Sequence, residues 1–152
     1  MKKIVSALLS LIFLFSINVN AEEKLTIEKQ LVGIVGAISG TVKTETRELK
    51  AGDQIYLNET IYAGPGSGTQ ILLLDQSTFT VGEDSEVVMD TFVFDPETND
   101  GKIVASVKQG SLKVISGLIS KKNPDSLTVE VPEGTLGSRG TEFQTIVSKG
   151  KT

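Results

Sequence analysis

The chain has 152 residues, enough for one domain, and a formal net charge of −4 from 15 basic and 19 acidic residues. It contains no cysteine, histidine or tryptophan, which excludes a thiol nucleophile, a disulfide, a histidine base, a zinc tetrad and a haem-attachment site. An acidic chain without a basic stripe is also a poor partner for nucleic acid.

The first residues have the pattern of a secretory signal peptide. Lys2 and Lys3 precede the apolar run 4–17, and a small-residue site ends at Ala21. At about 1.5 Å per residue this run reaches only about 21 Å, less than the ~30 Å hydrocarbon core, which favours a cleaved leader over a permanent anchor. We expect Sec-type export with cleavage after Ala21, a periplasmic or secreted product, and no stable membrane anchor.

Beyond the leader, apolar and polar residues alternate over many short stretches, as in half-buried strands. Val32, Ile34 and Ile38 share one parity, which predicts a strand that turns these side chains toward a core. Residues 69–74 form a continuous apolar run, which predicts a strand buried on both faces. Residues 22–31 are the one helical candidate, and they fit a leader segment equally well.

Turn signals recur about every eight to twelve residues, as expected of an all-β domain. They include the glycine-rich loop 64–68, the hairpin turn at Asp75 and Gln76, and the polar loop 95–101 between two strands. Gln76 stands where glycine would fit a tight turn more easily. Later strands are expected at 127–131 and near 143–147. The pattern predicts one domain of many short, mostly antiparallel strands, arranged as a twisted β-sandwich or a short β-solenoid-like fold.

The polar loop 95–101 has only part of a calcium-binding pattern. Acidic residues alternate before a glycine, but Pro96 follows the first acid, and Ser106 stands where the bidentate glutamate of a calcium loop would be. Its Asn-Asp-Gly ending is a common turn sequence. We expect a hairpin loop and no metal or other cofactor.

Four carboxylates are the candidates for hydrolytic chemistry: Asp75, Glu83, Asp84 and Asp90. Glycoside hydrolysis needs two carboxylates that face each other, and all but Asp90 lie in predicted turns, where acids are usually solvated. The stretch 120–122, Ser-Lys-Lys, is expected to be a basic surface loop rather than a Ser–Lys catalytic pair. We therefore expect no enzymatic activity.

The glycine-rich stretch 134–141 predicts tight turns rather than a nucleotide site, because it lacks the Lys-Ser or Lys-Thr pair of a phosphate loop. Arg139 within it has a guanidinium that could bind a partner's carboxylate, although such arginines more often tie down their own loop. Ser67, in loop 64–68, and Gln76 complete the candidate binding residues.

Several of these stretches together resemble a known family. They are GTV at 40–42, LKAGDQI at 49–55, and the segments 59–96 and 101–143, the last of which contains Pro132 and GSRGT at 137–141. The combination resembles the FecR-like domain, the periplasmic part of iron-dicitrate-type transmembrane sensors and of many exported bacterial proteins. Gln76 and Ser138 depart from the family pattern, which usually has glycine and an aliphatic residue there.

The resemblance implies a non-catalytic binding or interaction module of the envelope, in a sensory or signal-transduction system, with an envelope protein of unknown identity as partner. Recognition would use exposed strand edges and the loops 64–68 and 134–139. The alternative is a calcium- or carbohydrate-associated envelope structural protein, and the oligomeric state is left open. The predicted organisation is a signal peptide at 1–21, a leader and first strand at 22–38, the FecR-like domain at 39–147 and a tail at 148–152.

Overall fold

The computed structural model describes residues 28–137 and 140–148. The predicted signal peptide, most of segment 22–31, Arg139 and most of the predicted tail lie outside these residues, and the domain limits stay predictions. No helix in the described part is long and apolar enough to cross a membrane. The strands are β1 (Leu31–Ser39), β2 (Val42–Lys43), β3 (Gln54–Tyr56), β4 (Thr60–Ala63), β5 (Gly68–Leu73), β6 (Thr78–Val81), β7 (Ser85–Phe94), β8 (Gly101–Ile115), β9 (Leu127–Val131), β10 (Gly134–Gly137) and β11 (Glu142–Val147).

The strands form one curled sheet that is mostly antiparallel. Its main path runs β2-β4-β7-β8-β6-β5-β1-β3, while β9 and β11 also pair with β8 and β10 pairs with β9. Among the described residues, only the β8–β9 pair is parallel. A short helix, α1 (Leu118–Lys122), and a 3-10 turn at Pro124–Ser126 connect β8 to β9. The predicted all-β, mostly antiparallel fold class is confirmed, in the form of a single curled sheet.

The long strand β8 changes its neighbours at Gly110. Residues before Gly110 pair with β7 and β9, and residues from Gly110 onward pair with β6 and β11. Gly110 has a φ of +85°, and a Cβ at this position would overlap the side chain and backbone of Ser85. Only glycine fits both constraints. The sheet therefore has two arms that share β8: its first part belongs with β2, β4, β7, β9 and β10, and its second part belongs with β3, β1, β5, β6 and β11.

One apolar core lies inside the curl of the sheet. The largest side chains that are wholly buried in it are Phe79, Ile55, Ile103, Leu112, Ile119 and Leu127. Burying one such side chain stabilises the fold by about 1.5–3 kcal/mol. With no cysteine in the chain, packing and hydrogen bonding hold the fold without a disulfide.

Strand β1 does not follow the predicted alternation. Val32 and Val35 are buried, whereas Ile34, predicted to face the core, is 41% exposed. Register shifts between Leu31 and Gly33 and between Val35 and Ala37 explain the difference. A β-bulge inserts an extra residue and reverses which side chains point inward.

Strand β5 is buried on one face only, so the prediction of burial on both faces is wrong. Ile71 and Leu73 face the core, but Leu72 and Leu74 are 47% and 46% exposed. The apolar run resembles that of a doubly covered strand, yet an antiparallel sheet commonly leaves one face to solvent.

The stretch 120–122 is not a surface loop, because it belongs to α1 and Ser120 is buried. Ile119 inserts into the core and draws the helix against the sheet. The predicted hairpin loop 95–101 is confirmed, since it joins the antiparallel strands β7 and β8. The predicted last strand corresponds to β11.

Candidate functional site

Ser67 is buried, and its hydroxyl hydrogen-bonds the loop 64–68 to a neighbouring part of the chain. Its Oγ accepts a hydrogen bond from the Thr41 N–H at 2.9 Å and donates one to the Pro65 carbonyl at 3.1 Å. Gly40, beside it, has a φ of +71°, and a Cβ there would overlap the Ser67 side chain. The hydroxyl is thus used within the molecule, where it holds the loop against the chain leaving β1.

Gln76 is exposed at the tip of the β5–β6 hairpin, and its φ of +70° lies in the left-handed region. Its N–H donates to the Leu73 carbonyl at 3.0 Å. Ser67 and Gln76 flank β5 at its opposite ends, so the structure does not bring these two candidates together. Arg139, the third candidate, lies outside the described residues.

Asp75, beside Gln76, is wholly buried, although it was predicted to lie in a solvated turn. Its carboxylate accepts hydrogen bonds from the Ser77 N–H at 3.0 Å, the Ser77 hydroxyl at 2.9 Å and the Ile119 N–H at 3.3 Å. Its backbone carbonyl accepts from the Leu118 N–H at 2.7 Å. Asp75 therefore fastens the hairpin turn to the start of α1, where helical N–H groups lack partners within the helix.

Gly117 makes this contact possible. A Cβ at Gly117 would overlap the backbone of the hairpin turn, and its N–H donates to the Ser77 hydroxyl at 3.0 Å. The Asp-Gln-Ser turn is therefore a structural junction between distant parts of the chain.

The other three carboxylates considered for hydrolysis lie apart from this junction. Asp84 is exposed in the turn between β6 and β7, Asp90 accepts from the Ser106 hydroxyl, and Glu83 accepts from the Gly66 N–H at 3.1 Å. Within residues 28–137 and 140–148, no group of three or more acidic residues could hold a metal ion.

Loop 95–101 turns its oxygens toward its own backbone. Asp95 Oδ1 accepts from the Glu97 N–H at 2.9 Å, and the Asp95 N–H donates to the Asp100 carbonyl at 2.8 Å. Lys122 of α1 pairs with the Asp100 carboxylate at 2.7 Å. Hydrogen bonds from Lys122 and Thr98 lower the pKa of Asp100, so this carboxylate is already engaged by a cation of the chain.

The outer edge of β3 is closed by an ion pair. Arg47 donates to the Gln54 carbonyl, Glu59 accepts from the Tyr56 N–H at 2.9 Å, and Arg47 and Glu59 pair at 3.1 Å. The Asp53 carbonyl and the Leu57 N–H, which flank β3, bond toward β1, to Val35 and Gln30. Because inward and outward groups alternate along a strand, the Gln54 carbonyl and the Tyr56 N–H point away from β1. The Arg47 guanidinium also lies over the Tyr56 ring, 5.8 Å from its centroid.

The outer edge of β2 is covered by the chain that follows it. The Thr44 N–H donates to the Arg47 carbonyl, the Leu49 N–H donates to the Val42 carbonyl, both at 2.8 Å, and Lys43 bridges to Glu48. This return segment is held to β4 by Glu45, whose Oε1 accepts from the Thr60 N–H at 2.9 Å.

Strands β10 and β11 form the open side of the sheet. All four residues of β10 are exposed, and β10 pairs only with β9 among the described residues. β11 pairs only with β8 in the same part of the chain, and its Ile146 is 70% exposed. A cavity of about 180 Å³ lies between the β9–β10 turn and the end of β11, lined by residues 131–133 and 145–148. Unpaired strand edges of this kind can accept another strand.

The sequence prediction of a recognition element at 134–139 coincides with this open side, at least for residues 134–137. No sequence pattern indicates that the edges of β2 and β3 are closed, because the contacts that close β3 join Arg47 and Glu59 to backbone groups that only folding brings together. The alternating acids and bases around β3 were the only available signal, and such charges are common on solvated surfaces.

Comparison with known proteins assigns the chain to a family. A family model described as FecR protein matches residues 59–152, which is more than half of the chain. No curated protein and no solved structure gives a significant match. FecR proteins are typically associated with the cell envelope and, in general terms, with signal transduction. The match covers β4 and every later element described above, and the chain therefore belongs to the FecR family.

Proposed function

We propose that the chain is an exported, non-catalytic interaction module of the envelope that binds a partner protein by adding one of the partner's strands to β10. Family membership supports an envelope signalling context, and the leader pattern that ends at Ala21 supports export. The single observation that carries the proposal is the exposure of all four β10 residues, on a strand that has one neighbour within residues 28–137 and 140–148.

Thr135 offers the backbone groups that such a partner would bind. Val131 and Gly134 flank the two-residue turn at 132–133, so they are the hydrogen-bonded pair that closes the hairpin. Bonded and non-bonded pairs alternate along an antiparallel ladder, so the next pair, Thr135 and Glu130, directs the Thr135 N–H and C=O away from β9. In β-augmentation, groups of this kind supply the affinity.

The proposal uses the open side of the sheet, at β10, because the β2 edge, the β3 edge and the loop 64–68 are already engaged. Arg47 and Glu59 occupy the β3 edge, the segment after β2 occupies its edge, and Ser67 braces the loop 64–68. A partner strand would have to displace these contacts, whereas β10 requires no displacement among the described residues.

A non-catalytic role is supported by chemistry and by geometry. The chain has no histidine or cysteine, and the four acids considered for hydrolysis lie in separate hydrogen-bond networks or in solvent. The alternative of a calcium-associated structural protein has less support, since Lys122 already neutralises Asp100. Calorimetric titration with calcium gives no heat under the proposal and a saturable heat under the alternative.

The test compares Thr135→Pro with Thr135→Val in protein expressed from the full chain. Proline removes the outward N–H of Thr135 without removing a β9–β10 ladder bond, while valine keeps the N–H and favours a strand. We expect cross-linking in envelope extract to give one partner band with the wild type and Thr135→Val, reduced by about tenfold with Thr135→Pro. An unchanged band for the proline variant, or no band for the wild type, would contradict the proposal.

A further inference from the structure

An exposed apolar row crosses the outer face of one arm of the sheet. This outer face is the solvent side of β3, β1, β5, β6, β11 and the part of β8 after Gly110. Ile34 lies opposite Leu72, Leu72 opposite Thr78, and Thr78 opposite Ile115. Directly opposed residues of neighbouring strands point to the same face. Ile34, Leu72 and Ile115 are 41%, 47% and 38% exposed, so the row is a continuous surface feature.

Leu74 widens the row into a patch, because it follows Leu72 by two positions and is 46% exposed. Ile146 of β11, which is 70% exposed, lies on the same face but opposite Ser111, away from the row. Gly36 of β1 adds no side chain and lies against Leu72, whose nearest atoms would be 3.4 Å from a Cβ at Gly36. The missing side chain at Gly36 therefore leaves this side of Leu72 open to contact from outside the sheet.

The outer face is depleted of charge, although 22% of the chain is charged. The charged side chains lie toward its two ends: Lys113 and Glu142 pair with each other at 2.7 Å on β8 and β11. At β3, the Lys29 and Arg47 cations lie 5.7 and 5.8 Å from the centroid of the Tyr56 ring. The other outward positions are apolar, threonine, serine, glutamine or tyrosine. Depletion of charge around an apolar centre with a polar rim distinguishes interface centres from ordinary surface.

We propose that this outer face is a self-association surface, on which a second copy of the chain packs its own outer face about a two-fold axis. The chain carries a net charge of −4, so two copies repel each other over most of their surface. The centre of the outer face, at Ile34, Leu72 and Thr78, is uncharged, and because an isologous interface brings identical patches together, its complement is uncharged too. Sheet faces pack in this way about 10 Å apart in β-sandwiches.

The size of the face sets the strength of the contact. Six strands spaced by about 4.8 Å span about 24 Å, and the residues from Gln70 to Leu74 add about 14 Å along the strand. This footprint is about 340 Å² for each copy, or about 680 Å² in total, which is below the ~1,000 Å² of stable specific interfaces. We therefore infer a weak, concentration-dependent dimer.

Sedimentation velocity over a range of concentrations tests this inference, with protein expressed from the full chain. The wild type should shift from monomer to dimer as concentration rises. Leu72→Lys places a charge at the centre of the row, where it would be buried without a partner, and should weaken dimerisation by at least about tenfold. Val93→Lys is the matched control, because Val93 is 59% exposed on β7 in the other arm, and should leave the dimer unchanged.

A cysteine cross-link gives a second readout that does not depend on how a charge is tolerated. The chain has no cysteine of its own, so Thr78→Cys introduces the only thiol, at the centre of the row. Oxidation should give a disulfide-linked dimer with Thr78→Cys and little with Val93→Cys. A wild type that stays monomeric at every concentration, or equal cross-linking of both variants, would overturn the inference. Thr135→Pro should dimerise normally, which separates this inference from the proposed strand addition.

Discussion

Arg47 and Glu59 pair at 3.1 Å across the outer edge of β3 and bind the Gln54 carbonyl and the Tyr56 N–H that this edge directs outward. The opposite side of the sheet, at β10, has no equivalent closure among the described residues. The sheet can therefore be extended at one side and is protected at the other. Natural proteins often protect exposed strand edges with charged side chains in this way.

We expect Arg47→Ala to open the β3 edge and cause edge-to-edge association. The pair is partly exposed, so its loss should lower the free energy of unfolding by only about 1 kcal/mol, and the fold should persist. Light scattering after size exclusion would detect the association, in a Leu72→Lys background that suppresses contact through the outer face. Lys122→Ala removes an ion pair with Asp100 that lies in a loop and is the control. Equal behaviour of the two variants would show that Arg47 does not guard the edge.

Asp75→Ala should be one of the most destabilising substitutions of an acidic residue in this chain. It leaves the buried N–H groups of Ser77 and Ile119 without an acceptor, at about 1–3 kcal/mol for each unsatisfied group. We expect urea unfolding to show a loss of about 3 kcal/mol. Asp90→Ala, at an exposed position on β7, should change the stability by less than about 1 kcal/mol. Similar losses for the two variants would refute the assigned role of Asp75.

Gln76→Gly should stabilise the protein, because the φ of Gln76 is +70° and glycine adopts this region without steric cost. The free energy of unfolding, measured by thermal unfolding, should rise by about 0.5–1 kcal/mol. This value allows for the greater freedom of glycine in the unfolded chain. Gln70→Gly is the matched control, since Gln70 is an exposed residue inside β5. Glycine there should cost about 0.5–1 kcal/mol, so the two substitutions should have opposite signs.

Glu45 should contribute to stability at neutral pH but not in acid. Burial raises the pKa of Glu45, but hydrogen bonds from the Thr60 side chain and backbone outweigh it, so the pKa falls below its ordinary value of 4.5. A carboxyl with a lowered pKa in the folded state stabilises the fold above the unfolded value and loses this effect as pH falls through the folded value.

The free energies of unfolding of the wild type and Glu45→Gln should therefore differ at neutral pH and converge below pH 4.5. Because Glu45 is exposed, the neutral difference should be small and should shrink in high salt. Denaturant titrations across this pH range would measure it, with Glu97→Gln in the exposed loop 95–101 as control. A difference that grows as the pH falls would have the wrong sign for this explanation.

Local sequence patterns were sufficient to predict where most strands lie, but not always which of their side chains face the core. Alternation predicted β9 and β11, and the polar residues after Phe94 predicted the β7–β8 hairpin, because both signals lie within a few neighbouring residues. The same reasoning failed for Ile34 and Leu72, which are exposed. A β-bulge in β1 turns Ile34 outward, and Leu72 lies on the face of β5 that is open to solvent. Neither feature can be predicted from the residues next to Ile34 or Leu72 in the sequence.

The candidate site was also predicted only in part. The glycine-rich stretch after Pro132 marked a recognition element, and its first part is the open strand β10. Asp75 was misplaced, because a carboxylate in a turn is normally solvated, and its burial depends on Ile119, which lies 44 positions away in the chain. No local pattern reports such a contact.

Alternating apolar residues, regularly spaced turns and the motif combination of a FecR domain are sufficient to predict the fold class and the family. Three features are visible in the folded sheet alone: which strand edges are closed, which acid is buried and which apolar residues stay in solvent. The two groups differ in range, because strand formation and turn geometry depend on residues a few positions apart. Edge closure and burial, in contrast, are set by side chains that only the folded sheet brings within hydrogen-bonding distance.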